Sequence, residues 1–484
     1  MSEYLYEGIA SLASANSMSS NALLKRLYHL ALDAGKRCNG TIMEIGAYRG
    51  ASTTALAMGV RDAGHGHVYS IDPHMHYRGV LGGTFSPEDH VAFEETIRKY
   101  GVEKWVTHYC RDSATIAKDW NGKIDILWVD GDHSYEGVAT DLKLWLPFVE
   151  DGGVIVLDDH SPGSEVAQAV RDHMPFSRFQ SIERIGNALV LRRTAEPRSM
   201  VLCGGMQSSG STLVSMCFLQ RDDMDGIYDM DNPFIQQDFS RVFSSTVWVK
   251  MTIGSFRLRE LIDLYTAQGW LVHPLLVYRE PEEILASLIT KWYGLDGCTG
   301  DDPPLFTRFT RYMSDIQDAK AKKWPVLNYA EFISAPEEVL LRICALLKLP
   351  WDPRMMTWPK ADTAFAYPSS GNESLRETLA SESGLVDTIN RYKAGSNKVQ
   401  GANSDNRTAR AKALATRFNR AIEGMPVSDT DLEPSHYRGT RRDSLEQELQ
   451  RLRRYIDRIT KHPVIGSVIR LWAALVNPNL KKPE

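Results

Sequence analysis

Short runs rich in β-branched and aromatic residues recur in the first part of the chain. They are Thr41 to Ile45, His67 to Ile71, Val106 to Tyr109, Ile124 to Val129, Val154 to Leu157 and Ala188 to Leu191. Segments of helical period, such as Ser52 to Ala63 and Pro87 to Tyr100, separate them. Strands that alternate with helices predict a mostly parallel sheet covered on both faces. The alternation lapses in a polar stretch from Arg193 to Arg198, which includes Pro197, and a strand-like run begins again at Met200. A second αβ block follows, with strands near Val247 to Lys250, Leu275 to Tyr278 and Val326 to Tyr329. From about Ser381 to Tyr437 the pattern turns polar, with Asn, Ser and Gly clusters, one predicted helix at Arg407 to Ile422, and turns around Pro426 and Pro434. Four parts result: a domain over 1–195, a second over 196–380, a polar linker over 381–440 and a helical tail over 441–484.

In the tail, Leu445, Leu449, Leu452, Ile456 and Ile459 form an a/d seam too short to hold alone, which makes a homo-oligomer supported by the rest of the protein one expectation. Pro463 ends that helix. Val464, Ile465, Val468, Ile469, Leu471, Trp472 and Leu475 then form an apolar set flanked by Lys461, Arg470, Lys481 and Lys482. A basic amphipathic helix with tryptophan suits a membrane surface, and docking on a protein core is the alternative. The stretch Val464 to Val476 cannot cross a bilayer, because it is short of the roughly 20 residues a span needs and carries Arg470.

Composition narrows the class. At 484 residues one core is not expected. Lys plus Arg is 56 and Asp plus Glu is 61, a net charge of −5, which excludes a globally basic nucleic-acid coat, and no nucleic-acid partner is expected. With 43% apolar residues and a mean hydropathy of −0.30, the chain can fill ordinary cores but not many membrane spans. The six cysteines, Cys38, Cys110, Cys203, Cys217, Cys298 and Cys344, lack C-x-x-C spacing, so reduced, buried thiols are expected. The first residues show no basic stretch leading into an apolar one, which points to a cytoplasmic protein.

The chemistry of the first block lies where its strands end. Thr41 to Ile45 runs into Glu44-Ile45-Gly46-Ala47-Tyr48-Arg49-Gly50-Ala51-Ser52 and a helix. Glycines there allow a tight turn and close approach of backbone to a ligand, but G-x-x-x-G is not the dinucleotide fingerprint. Asp72 ends the second strand, where an acid can accept from ribose hydroxyls. Asp130-Gly131-Asp132-His133 and Asp158-Asp159-His160 each follow an apolar strand. Carboxylates crowded at neighbouring strand ends need protons or a hard cation, and oxygen donors without cysteine suit magnesium, calcium or manganese. The competing reading is that these Asp residues only cap turns and helices.

Residues 20 to 193, through E-I-G-A-Y-R-G-A-S, V-D-G-D-H-S-Y and V-I-V-L-D-D-H, resemble class I S-adenosylmethionine-dependent methyltransferases, and among these the metal-dependent O-methyltransferases of the macrolide-sugar and cephalosporin-hydroxylase-like type. The resemblance implies a Rossmann-like sheet. It assigns Glu44, Gly46 and Ser52 to the methionine part of the cofactor, Asp72 to the ribose, and Asp112 and Ser113 to the adenine. It further implies magnesium on Asp130, Asp158 and Asp159, with His133 as general base. The family often carries Glu where Asp158 stands, and a shorter arm would either shift the metal or replace a direct bond with water. A sugar hydroxyl has a pKa far above 7, so a cation on its oxygen and an imidazole to take its proton suit such a transfer.

In the second block, Met200 to Cys203 leads into Gly204-Gly205-Met206-Gln207-Ser208-Ser209-Gly210-Ser211-Thr212 and a helix. Small residues at a helix start make an anion site, while the missing lysine disfavours a Walker loop and ATP hydrolysis. Leu275 to Tyr278 delivers Arg279, and Ser287 lies on the following helix. This pair of motifs, over about Met200 to Arg376, resembles the sulfotransferases that use 3′-phosphoadenosine 5′-phosphosulfate, whose fold is a second, P-loop-like α/β domain. The segment Pro325 to Pro353 looks like that family's closing strand and helix. The resemblance implies that Gly210, Ser211 and Thr212 hold the 5′-phosphosulfate and that Arg279 and Ser287 hold the 3′-phosphate. Gly371, Asn372 and Arg376 stand where a late loop would close. Two departures matter. Ser208 replaces a usual Lys or Arg, which leaves Lys250 as the cation, and Thr252 stands where a His often serves as base. The expectation is an α/β enzyme with two activities, methylating and sulfating hydroxyls of a bacterial surface polysaccharide or other hydroxyl acceptor, at the inner face of the membrane. A methyltransferase with a binding-only second domain and a non-catalytic membrane scaffold are the alternatives.

Overall fold

The computed structural model describes residues 9–12, 18–37, 39–227, 230, 237–253, 256–281, 283, 284, 287 and 303–357. All of the described residues belong to one compact unit. The other unit, Ala413–Glu484, lies outside the described residues, as do the linker, the helix expected at Arg407 to Ile422, the a/d seam from Leu445, the amphipathic segment from Val464, and Gly371, Asn372 and Arg376.

Fourteen strands form two larger sheets and a small hairpin among the described residues. The first sheet contains β1 (Thr41–Ile45), β2 (His67–Ile71), β5 (Val106–Tyr109), β6 (Ile124–Val129), β7 (Val149–Leu157), β8 (Phe179–Ile185) and β9 (Ala188–Arg193), in the order β5-β2-β1-β6-β7-β9-β8. The strands from β5 to β7 are parallel, and β9 and β8 close the edge antiparallel. The hairpin of β3 (Tyr77–Arg78) and β4 (Thr84–Phe85) occupies the Gly-rich loop after β2. The second sheet is wholly parallel: β11 (Met224–Ile227), β12 (Thr246–Ile253), β10 (Ser199–Met206), β13 (Leu271–Tyr278) and β14 (Val326–Asn328), in that order.

The central parallel strands are apolar because both of their faces are covered. All six residues of β6 are buried, and Trp128, Ile126, Ile42 and Val156 pack against Leu24, Leu27, Leu56 and Val60 of the flanking helices Asn21–Arg37 and Ala51–Ala63. In the second sheet Val201, Trp248, Leu275 and Val277 meet Val214 and Phe218 of helix Ser211–Phe218 and Leu340 of helix Pro336–Leu346. The differences from the sequence pattern are local. β7 starts earlier than Val154, because Gly152 takes φ 84° and the register with β6 shifts there. β8, half polar, and β11, with Gly226 against the Trp248 backbone, lack the apolar run that marks the others. Cys203, Cys217 and Cys344 are buried thiols, but Cys110, expected to be buried, is exposed, since it follows β5 at the open end of the sheet. Cys38 and Cys298 fall outside the described residues.

The two sheets are tied where the chain passes between them. Arg198 is buried, and its guanidinium donates to the carbonyls of Phe176 and Phe179 at 3.1 Å and of Ser244 at 2.7 Å. Ser181 Oγ donates to the Ser240 carbonyl and Ser177 Oγ to that of Gln268, both at 2.8 Å. No helix among the described residues is long and apolar enough to cross a membrane.

Candidate active site

The parallel register brings the tips of the central strands to one level. Ile45 pairs with Ile71 on one side and Val129 on the other, and Val129 pairs with Leu157. Backbone bonds carry the ladder one residue further: Gly46 N–H donates to Ile71, Asp130 N–H to Ile45, Asp158 N–H to Val129 and Asp72 N–H to Tyr109. Asp72, Gly46, Asp130 and Asp158 therefore leave the sheet side by side, at the carboxyl ends where open α/β sheets bind ligands. The strand order reverses direction beside β1, which opens the crevice there.

The loop after β1 is shaped by its surroundings. Gly46 has φ 88°, and a Cβ on it would overlap the Asp130 carbonyl. Gly50, at φ 80°, lies against the Phe93 ring. Both glycines are thus required by packing as well as by the turn. Glu44 is fully buried beneath the loop, accepting from Ser52 Oγ at 2.6 Å and from Thr53 Oγ1, and burial pushes its carboxyl up to about 7. Ser52 is buried with it, so the two face each other across the helix start. Asp72 turns towards the loop: Oδ2 accepts from Ala47 and Tyr48 N–H at 3.0 and 2.8 Å, and Oδ1 from His74 N–H at 2.9 Å. Asp112 is exposed and caps helix Ser113–Asp119 through Thr115, while Ser113 Oγ donates to the buried Asp141.

The acidic residues gather around His133. Its Nε2 lies 3.3 Å from Asp130 Oδ1 and its Nδ1 3.6 Å from Asp159 Oδ2. Burial, and then the neighbouring Asp158, push the Asp130 carboxyl up to about 7, and burial also raises Asp158. Burial alone would lower His133, but the carboxylates of Asp130, Asp159 and Asp158 outweigh it and raise its pKa. Asp159 sits at φ 50°, in the left-handed region. Among the described residues no three His, Cys, Asp or Glu side chains converge as a ready metal cage. An imidazole stands between Asp130 and Asp159 instead.

Several neighbours carry no signal in residue spacing. Tyr77 OH, on the hairpin, donates to Asp132 Oδ1 at 2.8 Å, and its ring stacks on Phe85, which meets Tyr48 edge-on. Burial would raise Asp132, but bonds from Ser134 and Tyr77 hold it below the usual carboxylate range. Beside Asp72, His74 and His108 face each other with Nε2 atoms 3.1 Å apart, and the His90 ring stacks on His74. Burial, with His74 and His90 nearby, drives His108 down to about 4.

At the second sheet, β10 ends at Met206 and the chain turns through Gln207 to Gly210 into helix Ser211–Phe218. Ser208 and Gly210 have φ 67° and 94°. Gly210 has no room for a side chain, since the Tyr329 ring lies against it. Arg279 is at the tip of the neighbouring β13, with one guanidinium NH2 group 2.9 Å from the Ser208 carbonyl, Nε on Glu283 at 3.0 Å, and the plane over Tyr329. Lys250 is buried on β12, with Nζ 3.2 Å from Thr252 Oγ1. Ser211 is buried at the helix start, Thr212 half-buried beside it, and Ser287 half-buried on a helix.

Among curated proteins, 37 residues are 51% identical to the uncharacterized protein R132 of Acanthamoeba polyphaga mimivirus, a match over 8% of this chain and 17% of that protein. Solved structures similar to the chain include SAH-bound methyltransferase PaMTH1 of Podospora anserina, at 20% identity and TM-score 0.31, covering 39% of this chain and 87% of that one. The O-methyltransferase TomG of Streptomyces achromogenes, in complex with SAM, gives 18% identity and TM-score 0.31 over 39% and 90% of the two chains. An O-methyltransferase from Bacillus cereus in complex with SAH gives 18% and 0.29 over 40% and 90%. Residues 43–160, which run from β1 to His160 and include Glu44, Asp72, Asp130, Asp158 and Asp159, match the family model of a methyltransferase domain.

Proposed function

We propose that the amino-terminal domain transfers a methyl group from S-adenosylmethionine to a hydroxyl of a glycan or similar acceptor, and that the second domain transfers a sulfuryl group from 3′-phosphoadenosine 5′-phosphosulfate. The observation that carries the first half is the level row of strand tips, with Asp72, Gly46 and Asp130 adjoining and His133 3.3 Å from Asp130. The residues fit a sulfonium nucleoside. Three of the acceptor directions of Asp72 are taken by backbone N–H groups, and a ribose hydroxyl would share Oδ1 with His74, whose Nδ1 lies 3.8 Å away.

In this reading His133 takes the proton of the acceptor hydroxyl, with Asp130 and Asp159 orienting the ring and stabilising its charged form. Three carboxylates stand against one imidazole, and their oxygens suit magnesium. Bound there, the ion would supply Lewis-acid stabilisation of the acceptor oxygen, and the imidazole would have to swing out from between Asp130 and Asp159 to admit it.

The second half rests on the small-residue turn into helix Ser211–Phe218 with Arg279 at its side. Two transfers to hydroxyls within one chain suggest a common acceptor, a surface polysaccharide modified on the cytoplasmic side of the membrane, with the tail as membrane and self-association contact. Calorimetry of the full chain with S-adenosylmethionine and with adenosine 3′,5′-bisphosphate tests the two sites. Binding of both supports the reading, binding of the first alone removes the sulfuryl transfer, and binding of neither removes both. Flotation with liposomes, compared with a form ending at residue 442, tests the tail, and equal flotation would discard its membrane role.

A further inference from the structure

The turn after β10 contains no cation, for Gly204 to Thr212 include neither Lys nor Arg. Lys250, from the adjoining strand, is buried and turned onto Thr252. A second guanidinium nevertheless reaches this turn from elsewhere in the fold. Arg308, near the start of helix Pro303–Lys322, has one NH2 group 3.5 Å from Gln207 Oε1, while Arg279 lies on the Ser208 carbonyl. Gln207 and Ser208 are the two residues that lead into the cradle, so positive charge approaches it from two separate elements.

Inside the turn, Ser209 is fully buried and its Oγ has no hydrogen-bond partner. That Oγ lies 2.5 Å from where a Cβ on Gly205 would stand, so it points back across the interior of the turn. A buried hydroxyl without a partner is costly, and an anion oxygen held by the turn would accept from it. The neighbouring Ser208 and Gly210 are both left-handed, and the Ser209 N–H between them donates to the Met206 carbonyl at 2.9 Å, which closes the turn around that hydroxyl.

We infer that Arg308 is the cation of this cradle, taking the place of the absent loop lysine, and that with Ser209 it binds the phosphate or sulfate ester oxygens seated on the Gln207–Gly210 turn. The inference rests on the reading of the second domain as a nucleotide-binding one. A guanidinium offers paired donors to such an oxyanion, which an ammonium does not.

The test is calorimetry on the full chain with two probes, adenosine 3′,5′-bisphosphate and inorganic phosphate, at two salt concentrations. The intact chain binds the nucleotide. Arg308→Ala weakens it by about tenfold or more and flattens the salt dependence, and Arg308→Lys recovers part of the loss. Ser209→Ala weakens it by several-fold. Thermal melting of each variant separates loss of binding from loss of fold, since Arg308 is only half-buried. Nucleotide affinity unchanged in Arg308→Ala overturns the assignment and leaves the nucleotide reading standing. Binding of inorganic phosphate that depends on Arg308, without nucleotide binding, upholds the assignment and overturns the nucleotide reading. A chain that binds neither probe overturns both.

Discussion

Gly46→Ala separates the two demands made on the turn after β1. The backbone there has φ 88°, and an added Cβ would overlap the Asp130 carbonyl oxygen, with the Gly131 Cα 2.8 Å away. Both obstacles are main chain in the adjoining strand end, so neither can step aside as a flexible side chain would. Gly64, after helix Ala51–Ala63, supplies the control: φ is 78°, but nothing lies within 4 Å of its added Cβ. The left-handed conformation costs about 1–2 kcal/mol in either variant. Overpacking adds about 1–3 kcal/mol in Gly46→Ala alone. At about 2–4 °C per kcal/mol for a domain of this size, Gly64→Ala should lower the melting midpoint by about 2–8 °C and Gly46→Ala by about 4–20 °C. Relief of the overlap pushes β1 away from β6 and moves Asp130, so affinity for S-adenosylmethionine should fall in Gly46→Ala and stay level in Gly64→Ala. Scanning fluorimetry and calorimetry read the two effects. Equal midpoints for the two variants would refute the claim that the strand tips at Gly46 and Asp130 are in packed contact.

Three further outcomes follow from the same structure. Glu44 holds its proton up to about 7 in the fold against an ordinary 4.5, so the folded chain binds more protons between those values and stability falls as pH rises through them, by at most about 3 kcal/mol. Glu44→Gln should flatten that fall in urea midpoints measured from pH 5 to 7.5, leaving the part due to Asp130; unchanged slopes would contradict the burial argument. His133→Ala should lower methyl transfer by about 10²–10⁴ while leaving S-adenosylmethionine affinity nearly level, read by label transfer and calorimetry; full activity would remove the base. Arg198→Met should leave carbonyls at Phe176, Phe179 and Ser244 without their donor, cost at least about 2 kcal/mol, and speed proteolysis between Arg193 and Ser199; an unchanged cleavage rate would show that the sheets are held together otherwise.

What the sequence discloses and what it hides divide along one physical line. A residue that directly follows an apolar run is legible, because the run locates a strand and the next residue must stand at its tip: Asp72, Asp130, Asp158 and Arg279 are of this kind. The strands β8 and β11 are less legible, because a half-polar edge strand and a four-residue strand with Gly226 lack the periodicity that marks a buried one. A residue that reaches the tips from another element leaves no trace in spacing. Tyr77 meets Asp132 across 55 positions and Arg308 meets Gln207 across 101, and no local pattern could have paired them. Glu44 illustrates the converse: it belongs to the same motif as Gly46, but strand alternation turns it inward, where Ser52 and Thr53 take its oxygens. Motif membership therefore identifies a strand tip without telling ligand-facing residues from those beneath the loop. In both sheets the chain leaves the central strand through a turn that demands left-handed backbone, at Gly46 and Tyr48 in one and at Ser208 and Gly210 in the other. The main-chain N–H groups of these turns are largely engaged, Ala47 and Tyr48 by the Asp72 carboxylate and Ser209 by the Met206 carbonyl, so the side chains that distinguish one ligand from another must come from neighbouring tips or from across the top of the sheet.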